Sequence, residues 1–131
     1  MNQYFIVGVR MLLGLIFLIF GSNGLMMVLT GAGFIPMPPP KPEVMEILGG
    51  LFKVVYLMPL VKALQIISGL MLLSNRFVNL ALTFLGPIVL NILCVHIFVD
   101  PSGLIIALLI TILYSLMLYF RWNDFKILVK I

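Results

Sequence analysis

The stretch PIVLNILCVHIFVDPSG, residues 87–103, is mostly apolar, yet it carries an amide, an imidazole and a carboxylate at Asn91, His96 and Asp100. An imidazole can transfer protons near neutral pH or bind a metal. Asp100, four residues later, is its only candidate co-ligand at helical spacing, so the sequence predicts no metal site. The DPSG sequence is typical of a turn, and Asp100 can cap the next helix or pair with His96. Helix termination therefore accounts for His96 and Asp100 but leaves Asn91 unexplained.

A second group of polar side chains falls inside apolar stretches: Arg10, Lys62, Gln65, Asn91 and Tyr114. Polar groups at membrane depth are costly, so each one invites a functional hypothesis. Counting about 1.5 Å of helix per residue brings Arg10 near Gln65 and Asn91 near the height of Lys62. The i, i+3 spacing also stacks Lys62 one turn above Gln65 on the same helix face. We therefore expect a polar seam made of these five residues. It would serve either as interhelical hydrogen bonding or as a pocket for a polar-headed lipidic molecule such as a quinone.

The polar seam holds two cations, Arg10 and Lys62, and no carboxylate, although a buried cation ordinarily needs one. The nearest acids in the sequence, Glu43, Glu46 and Asp100, belong near the outer edge of the predicted bundle. Three alternatives stay open for Lys62: it reaches one of these acids, it is neutral, or an anionic group binds beside it.

Composition places these residues in a membrane. Hydrophobic residues form 63% of the 131-residue chain and charged residues 9%, whereas soluble domains are about one-quarter charged. Three apolar runs are long enough to cross a bilayer, and a fourth is shorter. We expect an all-α membrane protein with a single domain, a bundle of four transmembrane helices at about residues 4–29, 59–75, 77–99 and 103–121. An extra amphipathic or re-entrant helix, at about residues 43–57, would lie between the first two spans, and Pro59 would divide it from the second span.

The basic residues set the expected orientation. Arg76, Arg121, Lys126 and Lys130 lie in the short loop after the second span and in the C-terminal tail. The opposite side has Lys41 together with three carboxylates. The positive-inside bias therefore places both termini in the cytoplasm. It also explains the net charge of +4, so no nucleic-acid partner is expected. The first span has no small-residue cleavage site, and we expect it to remain in the mature protein.

Two further patterns concern helix faces. Gly14 and Gly21 recur at helical spacing in the first span and would let another helix approach closely. Glu46, Lys53 and Tyr56 fall on one side of the predicted amphipathic helix, and apolar residues cover much of the rest.

Three stretches in order resemble the DoxX family of small four-helix membrane proteins: VRMLLGLIFLIFGSNGL, YLMPLVKALQIISGLMLLSNRFVNLAL and LGPIVLNILCVHIFVDPSGL. The first resembles the family's opening span, with its arginine and a phenylalanine-glycine-x-asparagine end at Asn23. The second and third are similar to the family's tyrosine-proline-lysine and proline-asparagine-histidine signatures. Asn23 and Tyr56 in these stretches, together with His96 and Asp100 near the outer end of the third span, are the outer-face candidates. The family usually has a glutamate where this chain has Gln65, so the acid that could neutralise the seam is missing here.

The resemblance implies an integral membrane protein, here expected in a bacterial cytoplasmic membrane, and some members accompany quinone-linked oxidoreductase complexes. The sequence shows no nucleophile–base pair or nucleotide motif, and its single cysteine, Cys94, cannot form a redox pair alone. We therefore expect a non-catalytic accessory or scaffold subunit that binds lipid and either membrane-protein partners or further copies of itself. The alternative is a quinone- or lipid-binding component of a membrane oxidoreductase system, with quinone as the one cofactor suggested. A small proton-coupled transporter is disfavoured because no membrane carboxylate is evident.

Overall fold

The computed structural model describes residues 2–130, and over that range the chain is helical with no strand. This confirms the predicted all-α class. The elements in chain order are α1 (Gln3–Thr30), α2 (Pro42–Lys53), α3 (Leu57–Leu73), α4 (Val78–Phe98), α5 (Leu104–Phe120) and α6 (Trp122–Phe125). Two single-turn 3₁₀ helices, Pro101–Gly103 and Lys126–Leu128, precede α5 and follow α6.

Four helices pack in a closed ring. Helix α1 contacts α3 and α5, and α4 contacts the same two helices from the other side. Each of the four contributes an apolar stripe to one shared core, whose fully buried members include Leu13, Phe17, Leu72, Leu82 and Met117. The outward faces are also apolar, which suits a lipid solvent rather than water.

Three helical segments are long and apolar enough to cross a membrane: α1, α4, and the segment Pro101–Phe120 that contains α5. Helices α2 and α3 pass the same test only as a pair, and they are bent by 87° at the break between them. By length and composition the chain therefore has three membrane-spanning candidates, or four if the bent pair counts as one span.

The break in the bent pair lies earlier than the sequence indicated. The expected division was at Pro59, with the amphipathic helix running to about residue 57. In the structure α2 ends at Lys53, and α3 begins at Leu57. Pro59 is thus in the first turn of α3, where its missing N–H would have no intrahelical partner anyway and its fixed φ suits a helix.

The connection between α3 and α4 is a tight left-handed turn. Asn75 and Phe77 both adopt a φ of 56°, a conformation that asparagine tolerates and phenylalanine rarely does. The Arg76 N–H donates to the Met71 carbonyl at 3.1 Å, which satisfies part of the end of α3. Because the reversal takes so few residues, α3 and α4 run antiparallel as neighbours.

Glycines allow the backbones of α1 and α3 to touch, as the small-residue pattern of the first span predicted. A methyl group on Gly14 would lie 3.2 Å from the carbonyl oxygen of Gly69, and one on Gly21 would lie 3.0 Å from Cβ of Gln65. A methyl group on Gly69 itself would lie 2.8 Å from the Leu18 nitrogen and 2.9 Å from the Gly14 oxygen. This close approach fixes the register of the polar side chains that α3 presents to α1.

Candidate functional site

A polar column on α3 faces α1. Lys62 Nζ donates to Gln65 Oε1 over 3.3 Å, and Gln65 is 4% exposed. The i, i+3 spacing places the two side chains one above the other, as the sequence predicted. A glycine of α1 makes room for the lysine, because a methyl group on Gly24 would lie 3.0 Å from Lys62 Nζ.

Ser68 extends this column and was not singled out in the sequence. Its side chain is fully buried, and its Oγ has no hydrogen-bond partner. The signal that could have found it is the spacing, since Lys62, Gln65 and Ser68 follow each other at three-residue intervals on one helix face.

Within residues 2–130 the amino group of Lys62 has a single hydrogen-bond acceptor, the Gln65 side chain. Within residues 2–130 the one ion pair joins Arg121 to Asp124 at the other end of the bundle, at 3.5 Å. Lys62 therefore does not pair with Glu43, Glu46 or Asp100, which removes the first of the three alternatives for this residue.

Arg10 binds elsewhere than the sequence suggested. Its guanidinium donates to the main-chain carbonyl of Leu72, with a second, longer contact of 3.4 Å to that of Leu73. These carbonyls belong to the last turn of α3, where helical acceptors lack partners and the helix dipole is negative. The backbone thus compensates this cation without a carboxylate, and Arg10 and Gln65 do not form a hydrogen bond.

Tyr114 ties α5 to α4. Its hydroxyl donates to the Leu82 carbonyl over 2.9 Å and lies close against Gly86. Gly86 precedes Pro87, the proline inside α4, so the tyrosine lies beside the point where the ladder of helical hydrogen bonds is interrupted. Its hydroxyl is engaged with the main chain and is not part of the Lys62–Gln65 column.

The expectation that Asn91 belongs to the interior seam is wrong, because its side chain is exposed on the outside of α4. The buried face of this helix runs through Leu82, Leu85, Ile88 and Val89. At about 100° per residue, Asn91 is turned about 200° from Val89 and points away from the core. The sequence indicated how far along α4 Asn91 lies, but not the side of the helix on which its side chain points.

Two outer-face candidates have local contacts. Asn23 is 3% exposed, and its Oδ1 accepts the Ile35 N–H over 2.8 Å, which holds the proline-rich loop after α1 against the helix. Tyr56 lies in the break between α2 and α3, where its side chain is 70% exposed and its carbonyl accepts the Leu60 N–H over 3.0 Å.

His96 and Asp100 meet through the backbone. The ring Nδ1 of His96 lies 2.7 Å from the Asp100 carbonyl, an acceptor, so this nitrogen donates. The Asp100 carboxylate accepts the Ser102 N–H at 3.2 Å and begins the turn into α5, as the capping interpretation predicted. Hydrogen bonds from Ser102 hold the pKa of the Asp100 carboxyl below its usual value, with weaker contributions from His96 and Lys41.

In the structure the five residues of the predicted polar seam lie in three separate places. Lys62 and Gln65 lie together, Arg10 and Tyr114 are each bound to main-chain carbonyls, and Asn91 lies on the outside of the bundle.

Within residues 2–130 no three histidine, cysteine, aspartate or glutamate side chains lie together in a metal-binding cluster. A cavity of about 430 Å³ lies between the start of α2 and the turn at Asp100, and Lys62 is not among its lining residues.

Comparison with known proteins gives no match. No family model matches the chain, and neither does any curated protein or solved structure. The resemblance to the DoxX family therefore stays a prediction from the residues that carry it.

Proposed function

We propose that the chain is a DoxX-like integral membrane protein with four spans, in which α3 crosses the bilayer and α2 lies in the outer interface. Two observations support this arrangement. Helix α3 has 17 residues, about 25 Å at 1.5 Å per residue, close to the thickness of a hydrocarbon core. The exposed side chains of α2 include Ile47, Leu51 and Phe52, which suit burial in lipid. The basic residues at the α3–α4 turn and in the tail favour cytoplasmic termini, and the family resemblance favours a bacterial cytoplasmic membrane.

The function we propose is that of a non-catalytic accessory or scaffold subunit of a membrane complex. One observation carries this proposal: two deep polar side chains, Arg10 and Tyr114, bind the main chain of a neighbouring helix and so serve the packing of the bundle. Arg10 closes the end of α3, and Tyr114 bonds the α4 main chain beside its proline. A protein whose deep polar groups hold its helices together is suited to present a rigid outer surface to other membrane proteins.

The test is native mass spectrometry of the tagged chain, extracted gently from its own membrane. We expect one other membrane protein to co-purify with the chain at constant stoichiometry. When the tag is placed on that protein instead, the chain should co-purify with it. An unrelated four-span protein with the same tag is the control. Recovery of the chain with no other protein at constant stoichiometry would contradict the scaffold function.

A second candidate is a quinone- or lipid-binding component of a membrane oxidoreductase system, and Lys62 favours it. Among the described residues its side chain has one hydrogen-bond partner and forms no ion pair, which suits an oxygen-rich or anionic headgroup placed beside it. Gln65 can hydrogen-bond such a group but, as an amide, cannot exchange a proton with it.

The matched variants for this candidate are Lys62→Leu and Lys53→Leu, since Lys53 is an exposed lysine at the end of α2. If a lipid or quinone binds at Lys62, a retained small-molecule mass should disappear in Lys62→Leu and persist in Lys53→Leu. Retention of the same mass in both variants would exclude Lys62 as the binding group.

A further inference from the structure

The outward face of α4, defined by Thr83, Pro87, Asn91, Cys94 and Phe98, forms one stripe along the helix. The intervals of four, four, three and four residues keep these positions aligned. Thr83 satisfies its own hydroxyl by donating to the Asn79 carbonyl at 2.9 Å. Asn91 is exposed, and within residues 2–130 its amide has no hydrogen-bond partner.

The position of Asn91 along α4 makes this exposure costly. It lies 13 residues after Val78 and 7 before Phe98, the ends of the helix. At about 1.5 Å per residue it is about 20 Å from one end and about 10 Å from the other, within the hydrocarbon of a bilayer that α4 crosses. Lipid tails offer no hydrogen bonds, so an amide at this depth needs a partner from another protein surface.

We propose that this partner is Asn91 of a second copy, and that the chain forms a two-fold homodimer along the outward face of α4. Two copies inserted in the same orientation have Asn91 at the same depth in the bilayer, because their sequences are identical. An amide carries both donors and an acceptor, so two facing asparagines satisfy each other reciprocally. A different protein would have to place a polar group at that depth independently.

The rest of the outward face is compatible with self-association. Residues 78–98 contain no lysine, arginine, aspartate or glutamate, so two identical faces meet without like-charge repulsion. The one histidine of this helix, His96, bonds the Asp100 carbonyl of its own chain. Phe98, at the end of the stripe, is 80% exposed, and Leu90, beside the stripe, is 63% exposed. Both side chains would pack across the two-fold axis.

Cys94 supplies a native reporter, because it lies one turn from Asn91 on the same face and is the single cysteine of the chain. The full-length protein in its own membrane is treated with an oxidant or a short bis-maleimide, and disulfide-linked or cross-linked dimer is quantified. Energy transfer between C-terminal fluorescent labels in vesicles gives a second measure that does not depend on sulfur geometry.

Three variants make the test specific. Asn91→Leu removes the amide and should lower the dimer association constant about threefold to thirtyfold, the range for an interhelical hydrogen bond in lipid. Asn91→Gln retains the amide and should keep most of the association. Ser115→Ala, on the exposed side of α5, should leave the association unchanged. Since Asn91 and Ser115 are both exposed and lie outside the core, all three variants should unfold like the parent protein.

The proposal fails if Asn91→Leu associates as strongly as the parent in the energy-transfer assay. It also fails if the parent is monomeric in vesicles, or if Cys94 cross-links only to a different protein. These outcomes are separate from the scaffold function, which fails when no other protein accompanies the chain.

Discussion

Replacing Gly69 by alanine tests the close contact between α1 and α3. The added methyl group would lie 2.8 Å from the Leu18 nitrogen, 2.9 Å from the Gly14 oxygen and 3.2 Å from the Leu18 Cα. All three are backbone atoms, so no side chain can rotate away. The two helices must separate, and the contacts beside Gly69 are lost with them.

The matched control is Gly8→Ala, the same substitution in a helix of the same bundle. A methyl group on Gly8 has no neighbour within 4 Å. Both variants gain the same helix propensity, up to about 1 kcal/mol per substitution. The difference between them therefore isolates the overpacking term, which is about 1–3 kcal/mol for an inserted methyl that must move its surroundings.

Reversible unfolding in bicelles or mild detergent measures this difference as a change in the free energy of unfolding. We expect Gly8→Ala to equal or exceed the parent protein in stability and Gly69→Ala to lie below Gly8→Ala by that amount. If the two variants differ by less than about 0.5 kcal/mol, the range of ordinary surface substitutions, the close backbone contact is refuted.

Three further predictions follow from single contacts. Tyr114→Phe loses the 2.9 Å hydrogen bond to the α4 main chain and should lower the free energy of unfolding by about 0.6–1.5 kcal/mol. Asn23→Leu loses the bond from the Ile35 N–H, so limited proteolysis should cleave the loop after α1 faster. Asp100 has a lowered pKa because Ser102 donates to it; its contribution to stability is present above its ordinary pKa and lost as pH falls through the folded value. Asp100→Asn should flatten that part of the acid unfolding profile.

Helix positions and one polar contact could be predicted from sequence because they depend on local spacing. Apolar runs identify α1, α4 and α5, and the i, i+3 interval aligns Lys62 with Gln65. The intervals between small residues likewise indicated that Gly14 and Gly21 face another helix, which the structure confirms.

The features that could not be predicted from the sequence depend on which face of each helix packs against its neighbours. Counting residues gives the depth of Asn91, whereas its direction follows from the packing of α4 between α3 and α5. The partner of Arg10 is a main-chain carbonyl at the end of α3, and carbonyls carry no sequence signal. The break before α3 was expected at Pro59. In a sequence, a proline in the first turn of a helix cannot be distinguished from a proline that ends the preceding helix.

Labelling of single cysteines tests the four-span arrangement most directly, because three spans would place the termini on opposite sides of the membrane. In a Cys94→Ser background, Asn2→Cys, Lys41→Cys and Lys126→Cys each introduce a thiol at an exposed position. We expect a membrane-impermeant maleimide to label Lys41→Cys in intact cells, and Asn2→Cys and Lys126→Cys only after permeabilisation. Labelling of Asn2→Cys and Lys126→Cys from opposite sides would contradict four spans and show that the bent pair α2–α3 does not cross the membrane.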